Sequence, residues 1–251
     1  MSAQKPTAVL IIHGGYFLPA AWNAFSDRLR QAGLVVQCPR LPSCGDERPP
    51  TAAIKHDVAA VRKAAQDLIT LNHCFLVLAH SYGGMVASEA IRPDLYASNG
   101  KGVVGLVLLS SWLVQPGDTL MSVIDKYGFQ CKVDLGNNGD GTVFAKNAPE
   151  SFYNDIELTE AEELAKGNVT HNWLAASAEI SGAPWKDLHT TYIHCAQDLA
   201  IMLPLQQSMV QDAVNAGGRL TIKTIDSGHC PFLSQPETVI GIVNEVMENV
   251  S

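Results

Sequence analysis

The chain has 251 residues, of which 47% are hydrophobic and 17% are charged, and its formal net charge is −8. A chain of this length and composition can bury a large core, which excludes intrinsic disorder and fibrous repeats. Its acidic balance, without a cluster of Lys and Arg residues, excludes the counterion release that drives binding to nucleic acids, so we expect no nucleic-acid partner.

Two features of the sequence indicate the location of the protein in the cell. The six cysteines stand apart and form no CxxC pair, which is typical of reduced, mostly buried cysteines in a chain that needs no disulfide to fold. The apolar run before His13 is too short for a signal sequence or a membrane-spanning helix. We therefore expect a cytoplasmic protein that does not insert into a membrane.

The first part of the chain alternates between strand and helix patterns. Continuous apolar, β-branched runs predict buried strands, and apolar residues at spacings of three and four predict the helices between them. In chain order we predict a strand at 8–12, a helix at 20–32, a strand at 35–38, a helix at 54–69, a strand at 75–79, a helix at 83–91 and a strand at 103–109.

The alternation returns near the end of the chain, after an interruption. We predict a strand at 191–195, a helix at 204–216, a strand at 220–225 and a last helix that starts at Pro236. The segment 111–186 is rich in Gly, Asn and aromatic residues, with helical patterns around 160–166 and 172–180. We therefore predict one doubly wound α/β domain with a mostly parallel sheet. Its core comprises 1–110 and 187–251, and a small helical cap at 111–186 is inserted after the Val103–Leu109 strand.

The segment 79–84, with the sequence AHSYGG, joins a predicted strand to a predicted helix. A serine with small residues two positions away on either side is typical of a nucleophile elbow, because the strained turn leaves no room for larger side chains. Ala79 here replaces the usual first glycine. Ser81 is therefore the candidate nucleophile, and the alternative is an ordinary tight turn with a solvent-facing serine.

A nucleophilic serine needs a base, and the base needs an acidic partner. His229 follows the last predicted strand, so it lies at the same carboxyl edge of the sheet as Ser81. Asp198 follows another strand at that edge, which completes the order Ser81, Asp198, His229. Asp226 competes for the acidic role but is poorly placed to reach the far ring nitrogen of His229, and the end of the preceding strand carries only serines. We expect His13 to brace the first loop.

Acyl transfer also requires hydrogen-bond donors for the developing oxyanion. The backbone N–H groups of Gly15, in the loop after the first strand, and of Tyr82 are the candidates, since glycine allows close approach of the backbone. A Gly-Gly pair after a strand is also consistent with a plain turn. The loop lacks the spacing of a phosphate-binding motif, and no two histidines have the spacing of metal ligands. We therefore expect neither a cofactor nor a metal.

These motifs resemble the α/β-hydrolase superfamily. Within it, the chain is similar to the small, cofactor-free esterases and hydroxynitrile lyases related to plant methyl-salicylate esterases, and to their fungal and bacterial relatives. The resemblance spans essentially the whole chain and implies the α/β-hydrolase fold. It is carried by 13–15 with Trp22, by 79–84, by the FYND sequence at 152–155, by Asp198 with Pro204, and by 227–229 with Pro231, Leu233 and Pro236.

The sequence thus predicts a serine hydrolase that cleaves an ester, lactone or thioester of a small apolar or aromatic molecule through an acyl-enzyme. Lyase, carbon–carbon-cleaving or cyclase chemistry stays open, as does a ligand-binding receptor of the same fold. The stretch 227–231 has no lysine, which weakens the hydroxynitrile lyase alternative. The expected partner is a small-molecule substrate, and a homodimer is left open. The candidate substrate-binding residues, for which plain packing is an equal explanation, are Tyr16, Phe17, Trp112, Phe152, Tyr153 and Trp173.

Overall fold

The first part of the chain alternates strands and helices in the computed structural model, which describes residues 6–45, 47, 50–128 and 131–250. Its elements are β1 (Ala8–Ile12), α1 (Asn23–Gln31), β2 (Val35–Gln37), α2 (Ile54–Thr70), β3 (Cys74–Ser81), α3 (Gly83–Ala90) and β4 (Gly102–Ser111). Every predicted element of this part is present. The apolar run that predicted β1 is fully buried, as expected for a strand covered on both faces.

The segment after β4 contains a small antiparallel sheet in addition to helices, which the predicted helical cap did not include. Its elements are α4 (Leu120–Tyr127), β5 (Leu135–Asn137), β6 (Thr142–Ala145), α5 (Ala148–Phe152), α6 (Leu158–Ala165), β7 (His171–Asn172) and α7 (Trp173–Ala176). The strands pair in the order β5-β6-β7. The helix predicted around 172–180 is shorter, because Asn172 pairs with Thr142 in this sheet and caps α7 instead.

The last part of the chain returns to the alternating pattern. Its elements are β8 (His189–Cys195), α8 (Leu203–Asn215), β9 (Leu220–Ile225), α9 (Pro231–Ser234) and α10 (Pro236–Asn249). The chain after α8 turns at Gly217, whose φ of +94° favours glycine and stops the helix. Within the described ranges, no helix has the length and apolar character needed to cross a membrane.

The central sheet has the strand order β2-β1-β3-β4-β8-β9, and all of its pairs are parallel. Side chains of β1 alternate between two apolar clusters. Leu10 packs on the side covered by α2, α3 and α8, while Ile11 packs on the side covered by α1 and α10. This arrangement confirms the doubly wound α/β prediction. It also brings the loops after β1, β3, β8 and β9 to one edge of the sheet.

Candidate active site

Ser81 ends β3 on the sharp turn into α3, and its backbone φ is +53°. This left-handed conformation is costly for a residue with a side chain and persists only where the surroundings hold it. Close packing holds it here. A Cβ atom on Gly83 would lie 2.2 Å from the Ile12 carbonyl oxygen, and one on Gly84 would lie 2.3 Å from the Trp112 carbonyl oxygen. The turn therefore requires the small residues that the sequence supplies.

His229 and Asp198 form a buried pair at the same edge of the sheet. The two atoms in contact, His229 Nδ1 and Asp198 Oδ2, are 2.8 Å apart, and the residues are only 1% and 3% exposed. Asp198 Oδ1 also accepts the backbone N–H groups of Ala200 (2.7 Å) and Ile201 (2.9 Å). Because the carboxylate oxygens act as acceptors, Nδ1 of the ring carries the proton and Nε2 holds a lone pair.

Ser110 is a further member of this site that the sequence analysis did not find. Its hydroxyl donates to Asp198 Oδ2, the oxygen that also contacts His229. Ser110 has a φ of +37° near the end of β4, which lies next to β8 in the sheet. Its place at the carboxyl end of a strand is a signal in the sequence that could have found it.

Asp226, the competing acid, lies apart from this pair. Its side chain is exposed and accepts a hydrogen bond of 2.7 Å from Gln197 Nε2. The geometry therefore joins Asp198, and not Asp226, to the imidazole of His229.

The loop after β1 packs directly against the turn at Ser81. A Cβ atom on Gly14 would lie 3.0 Å from Ser81 Cβ, so this close approach of the loop to the turn favours glycine at position 14. Gly15 and Tyr82, the candidate oxyanion donors, both line the same cavity as Ser81 and His229. The structure thus brings the candidate nucleophile, base and donors around one space.

That cavity has a volume of about 290 Å³ and is lined mostly by apolar side chains. Four of the six candidate aromatic residues form part of its wall, namely Tyr16, Trp112, Phe152 and Trp173. Phe17 and Tyr153 do not line it. Phe17 packs behind it against His80 and Phe152, and the Tyr153 hydroxyl is held by Asn168 Oδ1 at 3.1 Å. Packing explains these two aromatic residues.

One wall of the cavity comes from elements that the sequence analysis missed. Helix α4 contributes Leu120, Met121 and Ile124, and the spacings of four and three positions to Ile124 place them on one helix face. The chain leading into β5 adds Cys131, Val133 and Leu135. These side chains make the wall apolar, so the cavity suits an apolar portion of a ligand.

Two buried histidines support the site from behind. His13 Nδ1 donates to the Gly14 carbonyl at 2.8 Å, and its Nε2 accepts the Leu41 N–H at 3.1 Å. Burial lowers the pKa of His13 to about 4, so it braces the first loop as a neutral ring. His80 Nε2 donates to the His229 carbonyl at 2.8 Å and thereby holds the loop that carries the candidate base.

His171, which belongs to none of the motifs found in the sequence, also lines the cavity. It lies on β7, and its Nε2 is 3.2 Å from the Ser43 hydroxyl oxygen. Burial lowers the pKa of His171 to about 3, which keeps the ring neutral. Throughout the ranges that the structure describes, no three His, Cys, Asp or Glu side chains are grouped as metal ligands would be.

Comparison with known proteins places the chain among hydrolases of this architecture. The model of the alpha/beta hydrolase family matches residues 9–242. The alpha/beta hydrolase nvfD of Aspergillus novofumigatus (strain IBT 16806) is 27% identical over 248 residues, which cover 95% of both chains.

Solved structures give the same result for the fold. The crystal structure of polyneuridine aldehyde esterase has a TM-score of 0.74 at 19% identity and covers 97% of this chain and 99% of its own. A methylesterase from Arabidopsis, MES16, has a TM-score of 0.72 at 19% identity and covers 96% and 98%. These neighbours confirm the α/β-hydrolase fold that the motifs predict. Because the family model matches nearly the whole chain, the protein belongs to the alpha/beta hydrolase family.

Proposed function

We propose that the protein is a serine hydrolase that cleaves an ester, lactone or thioester through an acyl-enzyme. Ser81 is the nucleophile, His229 is the general base and acid, and Asp198 orients the His229 ring. One observation carries the proposal: the strained Ser81 and the buried Asp198–His229 pair meet at one cavity. The family provides a hydrolase scaffold for these roles.

The positions of the polar groups support the following reaction. The lone pair on His229 Nε2 takes the Ser81 proton as Oγ attacks the carbonyl carbon, and Asp198 stabilises the imidazolium that forms. The backbone N–H groups of Gly15 and Tyr82 donate to the oxyanion of the tetrahedral intermediate. His229 then returns the proton to the leaving group, and water, activated by the same ring, removes the acyl group from Ser81.

The cavity supports a modest, mainly apolar or aromatic substrate. Its volume of about 290 Å³ lies at the lower end of small-molecule sites, and aromatic side chains form much of its wall. The names of polyneuridine aldehyde esterase and methylesterase MES16 describe ester-cleaving proteins, which favours an ester over the other acyl compounds. The absence of a lysine from 227–231 again disfavours a hydroxynitrile lyase.

The proposal is tested by trapping the acyl-enzyme. Rapid mixing with 4-nitrophenyl acetate should release a burst of nitrophenol that approaches one equivalent of enzyme when deacylation is slow, and mass spectrometry should place an acetyl group on Ser81. Ser81→Ala should abolish both signals. Ser208→Ala, which removes a serine from α8, is the matched control and should retain them. A burst of equal height in the Ser81→Ala protein would refute the proposal.

A further inference from the structure

A second buried carboxylate is hydrogen-bonded to Tyr82, a residue of the cavity wall. Asp57, on α2, is fully buried, and its Oδ1 accepts the Ser43 backbone N–H at 2.9 Å. Its Oδ2 accepts the Ser43 hydroxyl at 2.6 Å and the Tyr82 hydroxyl at 2.7 Å. Burial raises the pKa of the Asp57 carboxyl, and these three hydrogen bonds oppose that shift by stabilising the carboxylate. The Ser43 hydroxyl proton is therefore directed at Asp57.

This arrangement fixes which nitrogen of His171 carries its proton. Ser43 Oγ lies 3.2 Å from His171 Nε2, and since its own proton is used on Asp57, it accepts the Nε2–H. A neutral imidazole has one N–H group, so Nδ1 of His171 holds a lone pair. The burial that lowers the pKa of His171 to about 3 keeps the ring in this neutral form.

The Nδ1 atom of His171 lies beside Gly15, the residue of one proposed oxyanion donor. The residue is 2% exposed, and its ring contacts the rings of Tyr82 and Tyr16, with centroid distances of 4.5 Å and 5.6 Å. A Cβ atom on Gly15 would lie 2.8 Å from Nδ1, so this edge of the ring is next to the proposed oxyanion donor. Among the described residues, the hydrogen bond of the His171 ring is the one between Nε2 and Ser43, and none is given to Nδ1. Because His171 lines the cavity, Nδ1 is an acceptor left for a ligand bound there.

We propose that His171 Nδ1 accepts a hydrogen bond from the substrate, and that the enzyme selects esters bearing a hydroxyl or N–H group close to the scissile carbonyl. This inference rests on the proposed function and adds the substrate class to it. A site built to pair with a polar substrate group discriminates against the analogue that lacks this group, because the protein partner is then left unpaired in a buried place. The remaining wall, which is apolar, accommodates the rest of the molecule.

His171 is not a second general base in this scheme. A ring whose pKa is about 3 takes up a proton poorly at neutral pH, and the Ser43 hydroxyl separates it from the Asp57 carboxylate. His171 therefore acts by recognition, while His229 moves the proton.

The first experiment measures selectivity. We would determine kcat/KM for methyl 3-phenylpropanoate and for three matched esters with a donor near the carbonyl: the 2-hydroxy ester, the 3-hydroxy ester and the methyl ester of N-acetylphenylalanine. At least one donor-bearing ester should be preferred by roughly 10- to 100-fold. In His171→Phe, which keeps a ring of similar size, that ratio should fall to nearly one. A ratio that stays unchanged in this variant, or no preference in the native enzyme, would overturn the inference.

A second measurement does not depend on turnover. Long-range nitrogen NMR of histidine-labelled protein at pH 7 should show the His171 proton on Nε2, and Ser43→Ala should weaken that preference and reduce the selectivity ratio. A proton on Nδ1 in the native protein would contradict the scheme even if His171→Phe failed to fold.

Binding to Ser81→Ala separates this inference from the proposed function. Calorimetry with the parent ester and the three donor-bearing esters should show the same preference without hydrolysis. If the native enzyme hydrolyses none of the esters but the Ser81→Ala protein prefers a donor-bearing one, the proposed hydrolase function fails and the recognition by His171 stands. If the Ser81→Ala protein shows no preference, the recognition by His171 is refuted.

Discussion

Two buried carboxylates each hold a histidine at the cavity, and they do so differently. Asp198 Oδ2 contacts the His229 ring directly at 2.8 Å. Asp57 reaches His171 only through the Ser43 hydroxyl, over contacts of 2.6 Å and 3.2 Å. A direct carboxylate stabilises an imidazolium, whereas an intervening hydroxyl fixes the tautomer but keeps the negative charge further from the ring. An aspartate and a histidine thus suit proton transfer in the Asp198–His229 pair. In the Asp57–His171 pair, the same residue types suit recognition of a ligand by a hydrogen bond.

The largest expected effect separates the two carboxylates. Asp198→Asn should lower kcat by about 10³- to 10⁴-fold, because the amide favours the wrong imidazole tautomer of His229. Asp57→Asn should lower kcat far less, since Asp57 acts on His171 through Ser43. Ester hydrolysis under saturating substrate measures both, with circular dichroism to establish folding. Asp226→Asn is the exposed control and should leave kcat unchanged. An equal loss of kcat in Asp198→Asn and Asp57→Asn would show that the two carboxylates do not have different roles.

A smaller loss of kcat is expected when the hydrogen bond from Ser110 to Asp198 is removed. Ser110→Ala removes the hydroxyl that donates to Asp198 Oδ2 and should lower kcat by about 10- to 150-fold, since a hydrogen bond to a charged group contributes about 1.5–3 kcal/mol. The KM should change little, because Ser110 is not among the cavity-lining residues. Steady-state kinetics on one ester gives both values. A change confined to KM would show that Ser110 does not act through Asp198.

The smallest effect concerns His171 and the way in which the unfolding free energy of the protein falls at acid pH. An unfolded histidine titrates near pH 6.5, whereas the pKa of His171 in the fold is about 3, so the unfolded chain binds more protons between these values. The stabilisation is present above pH 6.5 and is lost as the pH falls towards 3. His171→Phe should therefore reduce the slope of unfolding free energy against pH by up to about 1.4 kcal/mol per unit in this window.

Urea denaturation at pH 7.5, 6.5, 5.5 and 4.5 measures this slope. His189→Phe, at the exposed start of β8, is the matched control and should keep the native slope. If both variants lose the same slope, or neither does, His171 is not held neutral by the fold.

The α/β core was predictable from the sequence because the patterns that indicate its strands and helices lie within short stretches of the chain. Runs such as Ala8–Ile12 carry their strand pattern in consecutive residues, and the order of strands then places Ser81, Asp198 and His229 at one edge. The sheet after β4 was missed because its strands have only two to four residues and pair across distance, as Thr142 does with Asn172.

The missed site residues have a related explanation. Ser110 bonds to a carboxyl group 88 positions away, and His171 bonds to a hydroxyl 128 positions away. Neither position carries a local motif, so only the folded arrangement reveals the partner. The elbow at 79–84, by contrast, was predictable from the sequence. Its strained turn requires a serine and small residues within six consecutive positions, so the pattern is local.

The short strand β7 has a consequence for how the substrate range of this protein can change. Its neighbourhood is joined to the core by backbone hydrogen bonds from Val169 to Tyr16, from Gly45 to Thr170 and from Asn172 to Ser43. Across the cavity, α4 presents Met121, whose side chain is partly exposed at 37%. Mutations at Met121 can therefore reshape the apolar wall at little cost to the fold, whereas mutations around β7 disturb the loops that frame Ser81. Sequence changes that alter the substrate range should accordingly accumulate at Met121 more readily than around β7.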